Sequence, residues 1–188
     1  MRIVGGRARG TALVAPKGMS TRPTTDRTRE RLFNILAHRE GLEGKRVMDL
    51  FAGSGALGLE AISRGAAFAL FVETDHAARA AIRKNAEAMK VLGQSRVWRR
   101  DATRLGDATV APFDLVFADP PYGHGLGEAA LAPLVGRGWL KAGALAVLEE
   151  HADAAPEAID GWALEDRRDS GDTALTFWRL TAGVSASA

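Results

Sequence analysis

The sequence contains no cysteine, which excludes a disulfide framework and thiolate metal sites. No stretch approaches the roughly 18 consecutive apolar residues of a membrane span. The opening Met1-Arg2-Ile3-Val4-Gly5-Gly6-Arg7 lacks the apolar segment of a secretory signal. A cytoplasmic protein with no membrane partner is expected. His38, His76, His124 and His151 are scattered, without metal-ligand spacing. No metal is expected, and each histidine reads as a surface or packing residue. Glu149 and Glu150 are neighbours on a predicted strand, so they point to opposite faces and cannot act as a pair. There is no internal repeat and no long low-complexity block.

What is present fits one domain with one sizeable core: 188 residues, 46% apolar and 26% charged. The net charge is only +2, but it is unevenly spread. Residues 1–31 carry Arg2, Arg7, Arg9, Lys17, Arg22, Arg27, Arg29 and Arg31 against Asp26 and Glu30, a net +6, and the remainder is −4. A basic arm on a mildly acidic body suits a polyanion docking at one end. A merely solvated arm fits the charge equally well.

Residues 1–24 are irregular, with short extended pieces at Arg2–Val4 and Thr11–Val14. Thr24-Thr25-Asp26 supplies a helix start, and Leu32, Phe33, Ile35 and Leu36 form an apolar stripe ending near Gly41. Strands and helices then alternate. Strands are predicted at Arg46–Phe51, Ala69–Val72, Arg96–Arg99, Phe113–Ala118 and Ala144–Glu149. Helices are predicted at Ser54–Arg64, Asp75–Val91 and Glu128–Gly138. Trp162–Arg168 and Thr173–Leu180 make a closing hairpin around Ser170-Gly171-Asp172. The four tryptophans, Trp98, Trp139, Trp162 and Trp178, read as core or sheet-face residues. This alternation is the pattern of an α/β fold, a parallel sheet with helices on both faces. Ligands on such sheets gather beyond the carboxyl ends of the strands.

Two turns at strand ends carry chemistry. The first, Asp49-Leu50-Phe51-Ala52-Gly53-Ser54-Gly55-Ala56-Leu57-Gly58, holds G-x-G-x-x-G between a strand and a helix. Its glycines let backbone approach a ligand. Twenty residues after Gly53, Glu73 ends the second strand, where a carboxylate accepts from two ribose hydroxyls. Thr74 follows it. Together these features specify a nucleoside-containing cofactor, without separating NAD from S-adenosylmethionine. Asp49 gives a lean: a carboxylate before the turn would crowd a pyrophosphate but suits an amino group and a sulfonium. Asp101, followed by Ala102, ends the third strand. It can accept from an adenine amino group, or cap a helix, or both.

The second turn is Asp119-Pro120-Pro121-Tyr122. Paired prolines make it stiff and deprive it of N–H groups. If Asp119 and the Pro120 carbonyl accept both protons of a base amino group, the nitrogen lone pair is freed for methyl transfer. Tyr122 can stack on the base. Positioning is then the main catalytic lever.

The stretches DLFAGSGALGLEA (Asp49–Ala61), VETD (Val72–Asp75), RDA (Arg100–Ala102) and DPPY (Asp119–Tyr122) resemble the amino-methyltransferase branch of the class I methyltransferases. The start MRIVGGRARG and RPTTDRTRERLFNIL (Arg22–Leu36) are similar to the bacterial RsmD family, which methylates a guanine N2 in small-subunit (16S) ribosomal RNA. The resemblance spans about residues 1–180. It implies a Rossmann-like, seven-stranded, mostly parallel sheet whose last strand is antiparallel, with a short N-terminal extension. It also implies S-adenosyl-L-methionine held by Asp49, Phe51, Ala52, Gly53, Ser54, Gly55, Glu73, Thr74, Asp101 and Ala102. Asp119–Tyr122 would take the guanine, and Arg2, Arg7, Arg9, Arg22, Arg27 and Arg29 would meet RNA. Such proteins often carry basic residues after the DPPY turn. Here Gly123-His124-Gly125-Leu126-Gly127 stands instead, an expected flexible and less charged loop.

The organisation expected is a basic arm and helix over residues 1–40, a methyltransferase domain over 41–180 and a disordered tail over 181–188. The partner is expected to be ribosomal RNA in a small-subunit assembly particle, and the protein a monomer. The competing readings are an adenine-N6 or cytosine-N4 methyltransferase on another nucleic acid, a nicotinamide oxidoreductase, and a non-enzymatic RNA-binding module.

Overall fold

The structure is a computed structural model in which residues 1–16 and 26–181 are described. Arg22, expected to meet RNA, and residues 182–188 of the expected tail lie outside the described residues. Seven strands form a sheet in the order β3-β2-β1-β4-β5-β7-β6. The pairs β1–β2, β2–β3 and β4–β5 are parallel, whereas β7 is antiparallel to both β5 and β6. The sheet is therefore mostly parallel with its last strand reversed. The chain divides into two compact units, Met1–Arg99 and Arg100–Ala188.

The first unit holds α1 (Asp26–Arg39), β1 (Arg46–Leu50), α2 (Ala56–Ser63), β2 (Phe68–Val72), α3 (His76–Ala88) and β3 (Ser95–Trp98). In β1 and β2 the last four of five residues are buried, the signature of strands covered on both faces. Their register sets Leu50 opposite Val72, so the turns that follow both strands start level. Helix α2 begins at Ala56, later than the expected Ser54, because Gly55 takes a left-handed conformation (φ 77°) at the cap.

Residues 1–13 form a hairpin along α2. Ile3 N–H donates to the Thr11 carbonyl (3.0 Å), Gly10 N–H to Ile3 (2.8 Å) and Leu13 N–H to Met1 (3.0 Å). Its tip docks on the end of α2: Arg7 N–H donates to the Ser63 carbonyl at 2.8 Å, and Ala8 N–H to Ser63 Oγ at 3.0 Å. Beyond its other end, Val14 N–H donates to Asn85 Oδ1 of α3 at 2.8 Å.

Arg29 corrects the expectation from charge. It is 1% exposed, so it cannot meet RNA phosphates. Its guanidinium donates to the Arg2 carbonyl and to Asp26 at 2.9 Å, and lies 3.7 Å from the fully buried Glu60. Glu60 also accepts from Val4 N–H at 2.9 Å and Arg64 Nε at 2.8 Å. A buried carboxylate needs such partners because desolvation penalises an unpaired charge. Arg29 thus fastens the hairpin and α1 to α2.

The second unit holds β4 (Phe113–Ala118), α4 (Leu126–Leu131), β5 (Leu140–His151), β6 (Trp162–Ser170) and β7 (Thr173–Leu180). Strand β4 has the expected bounds. Helix α4 is shorter than the expected Glu128–Gly138, giving way to a 3-10 turn at Ala132–Leu134. Pro133 lacks the N–H that an α-helix interior requires. Strand β5 outruns the expected Ala144–Glu149 because β7 pairs with it as far as His151, opposite Thr173. Trp139, Trp162 and Trp178 are buried, each indole donating to an oxygen acceptor. Trp98 is half-buried under the Arg96 guanidinium. Among the described residues, no helix is long and apolar enough to cross a membrane.

Candidate active site

The first unit gathers Asp49, the glycine turn and Glu73. Phe51 adopts a left-handed conformation (φ 57°), which costs a non-glycine residue about 1 kcal/mol or more and tends to mark functional turns. Gly53 is also left-handed (φ 54°), and among the described residues no side chain comes within 4 Å of where a Cβ would stand. Gly58 serves packing instead: a Cβ there would lie 2.4 Å from the Phe71 ring. Gly53 N–H donates to Glu73 Oε2 at 2.9 Å, and Asp75 N–H to Glu73 Oε1 at 2.8 Å. Each carboxylate oxygen keeps acceptor capacity after one such bond. Glu73 is therefore oriented by backbone and can accept further hydrogen bonds. Ala52 is buried, Ser54 half-buried and Thr74 exposed.

Asp49 lies at the heart of this group, 2% exposed, with Oδ2 accepting from Gly58 N–H at 2.9 Å. Burial pushes its carboxyl up to about 8, the Gly58 bond opposes this, and the Glu73 charge adds to it. A cationic ligand would reverse the shift by favouring the carboxylate. Between pH 4 and 8 the folded protein retains a proton that the unfolded chain releases, so Asp49 stability is lost as pH rises to about 8. Asp49→Asn removes that loss. Calorimetric melting of the ligand-free variant should exceed wild type by a margin that opens between pH 4 and 8. A margin independent of pH would contradict this assignment.

Two side chains that no motif flagged complete the region. Arg79, 7% exposed, donates to the carbonyls of Glu73 and Thr74. Asn85, 1% exposed, donates to the carbonyls of Val14 and Ser54, both at 3.0 Å. It ties the hairpin and glycine turn to α3. In sequence both are ordinary polar positions of a helix rich in Ala, Arg and Lys.

In the second unit, Asp101 is exposed and Ala102 buried. Asp101 Oδ1 accepts from Thr103 N–H (2.9 Å) and Thr103 Oγ1 (2.7 Å). These bonds, the hydroxyl first, hold its carboxyl below the usual range. It thus caps the 3-10 turn Ala102–Arg104.

Asp119 and Tyr122 are half-buried, Pro120 is buried and Pro121 exposed. Tyr122 donates its hydroxyl to Glu149 Oε1 at 3.3 Å and lies 3.4 Å from Thr173 Oγ1. Its ring stands edge-on to His151, centroids 5.9 Å apart. Burial raises the phenol, and the Glu149 and Asp119 charges add to this, so Tyr122 remains a neutral donor. Nothing in the sequence signals that Glu149 and His151 meet Tyr122, because that partner is twenty-seven or more residues away.

Arg2, Arg7, Arg9 and Arg27 are exposed. Arg2 lies 3.6 Å from Asp26, and Arg7 donates to Gln94 Oε1.

The strand order with β7 reversed, the glycine turn after β1 and the acidic end of β2 define the class I methyltransferase fold. A family model described as conserved hypothetical protein 95 matches residues 1–179. The chain is 38% identical over 183 residues to ribosomal RNA small subunit methyltransferase D of Escherichia coli strain K12, covering 97% of this chain and 91% of the relative. The protein of the same name from Haemophilus influenzae is 34% identical over 174 residues, covering 91% and 89%. The solved structure of Escherichia coli yhhF superposes with a TM-score of 0.84 at 38% identity, covering 97% and 99%. The chain belongs to the RsmD family of methyltransferases. Such an enzyme requires a methyl donor.

Proposed function

We propose that the chain transfers a methyl group from S-adenosyl-L-methionine to the exocyclic N2 amine of a guanine in small-subunit ribosomal RNA. The observation that carries this reading is the acidic cradle of Asp49 and Glu73 around a left-handed Gly53. Asp49, set just before the turn, would crowd a pyrophosphate and is ionised best by a cationic ligand, while Glu73 suits the ribose of S-adenosylmethionine or of a nicotinamide dinucleotide. Together they suit a nucleoside with a cationic tail, and S-adenosylmethionine supplies an electrophilic methyl on a sulfonium. Glu73 would accept from the ribose hydroxyls, and Asp49 would face the cationic end with Phe51, Ala52, Ser54, Gly55 and Thr74 around it. Asp101 and Ala102 would meet the adenine.

The chain's own catalytic work lies in the Asp119–Tyr122 turn. Asp119 and the Pro120 carbonyl would accept the two amine protons, so that the nitrogen lone pair turns out of the base ring. Tyr122, fixed through Glu149, would hold the base face. The amine gains the methyl and gives up one proton, for which Asp119 is the nearby acceptor. Holding the amine in this orientation contributes the larger part of the acceleration.

Residues 1–40 would form the RNA-binding extension of a methyltransferase domain. Arg7 and Arg9 occupy the hairpin tip at the far end of α2, whose eight residues span roughly 12 Å. They would therefore meet phosphates away from the glycine turn. Replacing both with alanine is expected to lower the salt slope of RNA binding by about one to two, measured by filter binding across ionic strengths. An unchanged slope would mean that the tip touches no phosphate.

Transfer of labelled methyl to small-subunit RNA, free or in an assembly particle, tests the function, with nuclease mapping to locate the product. Absence of transfer to either substrate would refute it.

A further inference from the structure

The turn after β4 and the end of β5 enclose a cavity of about 260 Å³. Pro120, Pro121 and Tyr122 form one wall, the first turn of α4 another, and Glu150 with His151 closes it. The prolines contribute no N–H, and the Tyr122 hydroxyl is engaged by Glu149. Glu128 of α4 stands beside Glu150, and its Oε2 is buried without a hydrogen-bond partner among the described residues. Within the lining, the proline corner and Glu150 offer acceptors, and Glu128 adjoins Glu150 without lining the cavity. That side of the cavity asks for a flat ligand edge with adjacent N–H donors.

Among the nucleobases, guanine presents a ring N1–H next to the N2 amino group. Adenine and cytosine place a ring acceptor beside their amine, which a carboxylate repels. We propose that Glu150 is a specificity-determining residue whose carboxylate accepts from N1–H of the target guanine. This rests on the guanine-N2 reading above and assigns the residue that recognises the base.

The electrostatics agree with the geometry. Burial raises the Glu150 carboxyl to about 7, with Glu128 and Glu157 adding to the shift and Arg167 opposing it. The side chain therefore exchanges a proton near neutral pH, and a base edge offering donors favours its ionised form. When protonated, it would instead donate to a ring acceptor.

The test compares two substrates, small-subunit RNA with guanine or with 2-aminopurine at the mapped position. 2-Aminopurine keeps the methyl-accepting amine but has a ring acceptor at N1. Wild type is expected to prefer guanine in kcat/KM by about tenfold to a hundredfold, the range of one charged hydrogen bond. Glu150→Gln, whose amide can donate to the ring nitrogen, should shrink that preference about tenfold or more. An unchanged preference in a variant that melts like wild type overturns the assignment alone. Failure of wild type to methylate either RNA overturns the functional reading and this one with it. A second measurement needs no variant: the wild-type preference should weaken as pH falls through about 7, and a flat profile overturns the assignment.

Discussion

Asp119→Ala is expected to lower kcat by about a thousandfold, the scale seen when one positioned polar group at a reacting centre is removed. The reason is geometric. An aromatic amine is a poor nucleophile because its lone pair is delocalised into the ring. It becomes a good one only while both protons are held out of the ring plane. Pro120 follows Asp119 directly and restricts its backbone to extended conformations, so the carboxylate and the Pro120 carbonyl are presented together on a stiff corner. Without the carboxylate, one proton loses its acceptor and the nitrogen relaxes towards planarity. Asp119 is assigned to the base amine and not to the cofactor, so cofactor affinity should change by less than about threefold, the scatter for a group that makes no contact. Single-turnover kinetics and calorimetry with S-adenosylmethionine separate the two quantities. A tenfold loss or less would remove Asp119 from the chemistry.

Glu73→Ala should act on the other quantity. Each charge-assisted hydrogen bond from ribose is worth about 1.5–3 kcal/mol, so losing both weakens cofactor binding by about a hundredfold or more. The variant also frees the N–H groups of Gly53 and Asp75, which Glu73 now holds. The turn then loosens as well as losing its acceptors. Glu73→Gln retains one carbonyl acceptor and should fall between alanine and wild type. At saturating cofactor the alanine variant should recover most of its turnover, because the amine-holding turn is intact. Calorimetric affinity within threefold of wild type would exclude Glu73 as the ribose ligand.

The local rules served well where local chemistry decides. Strand β4 runs Phe113–Ala118 as its apolar run and terminating Asp-Pro-Pro require, and the hairpin β6–β7 turns where Gly171 stands. They failed where distant partners decide. Strand β5 extends past its apolar run because β7 supplies hydrogen bonds as far as His151, and no pattern within β5 announces that. Helix α4 stops at a proline whose effect its apolar periodicity concealed. Arg29 shows the failure most plainly. Charge counting placed it with the RNA-facing arginines, and the fold buries it against Glu60, thirty-one residues away.

The residue order alone settled the alternation of strands and helices, the positions of the two turns, and the types of group that stand there. These depend on neighbours within a few positions, through dihedral preference, glycine freedom and proline stiffness. Protonation and pairing were decided only by the packed chain. Asp49 and Glu150 rise towards neutrality because the interior excludes water and sets another carboxyl beside each. Asn85 and Arg79 become braces for the glycine turn and the end of β2 because α3 packs there. Desolvation and hydrogen bonding between remote segments exist only once the chain has closed on itself, so composition and spacing carry no trace of them.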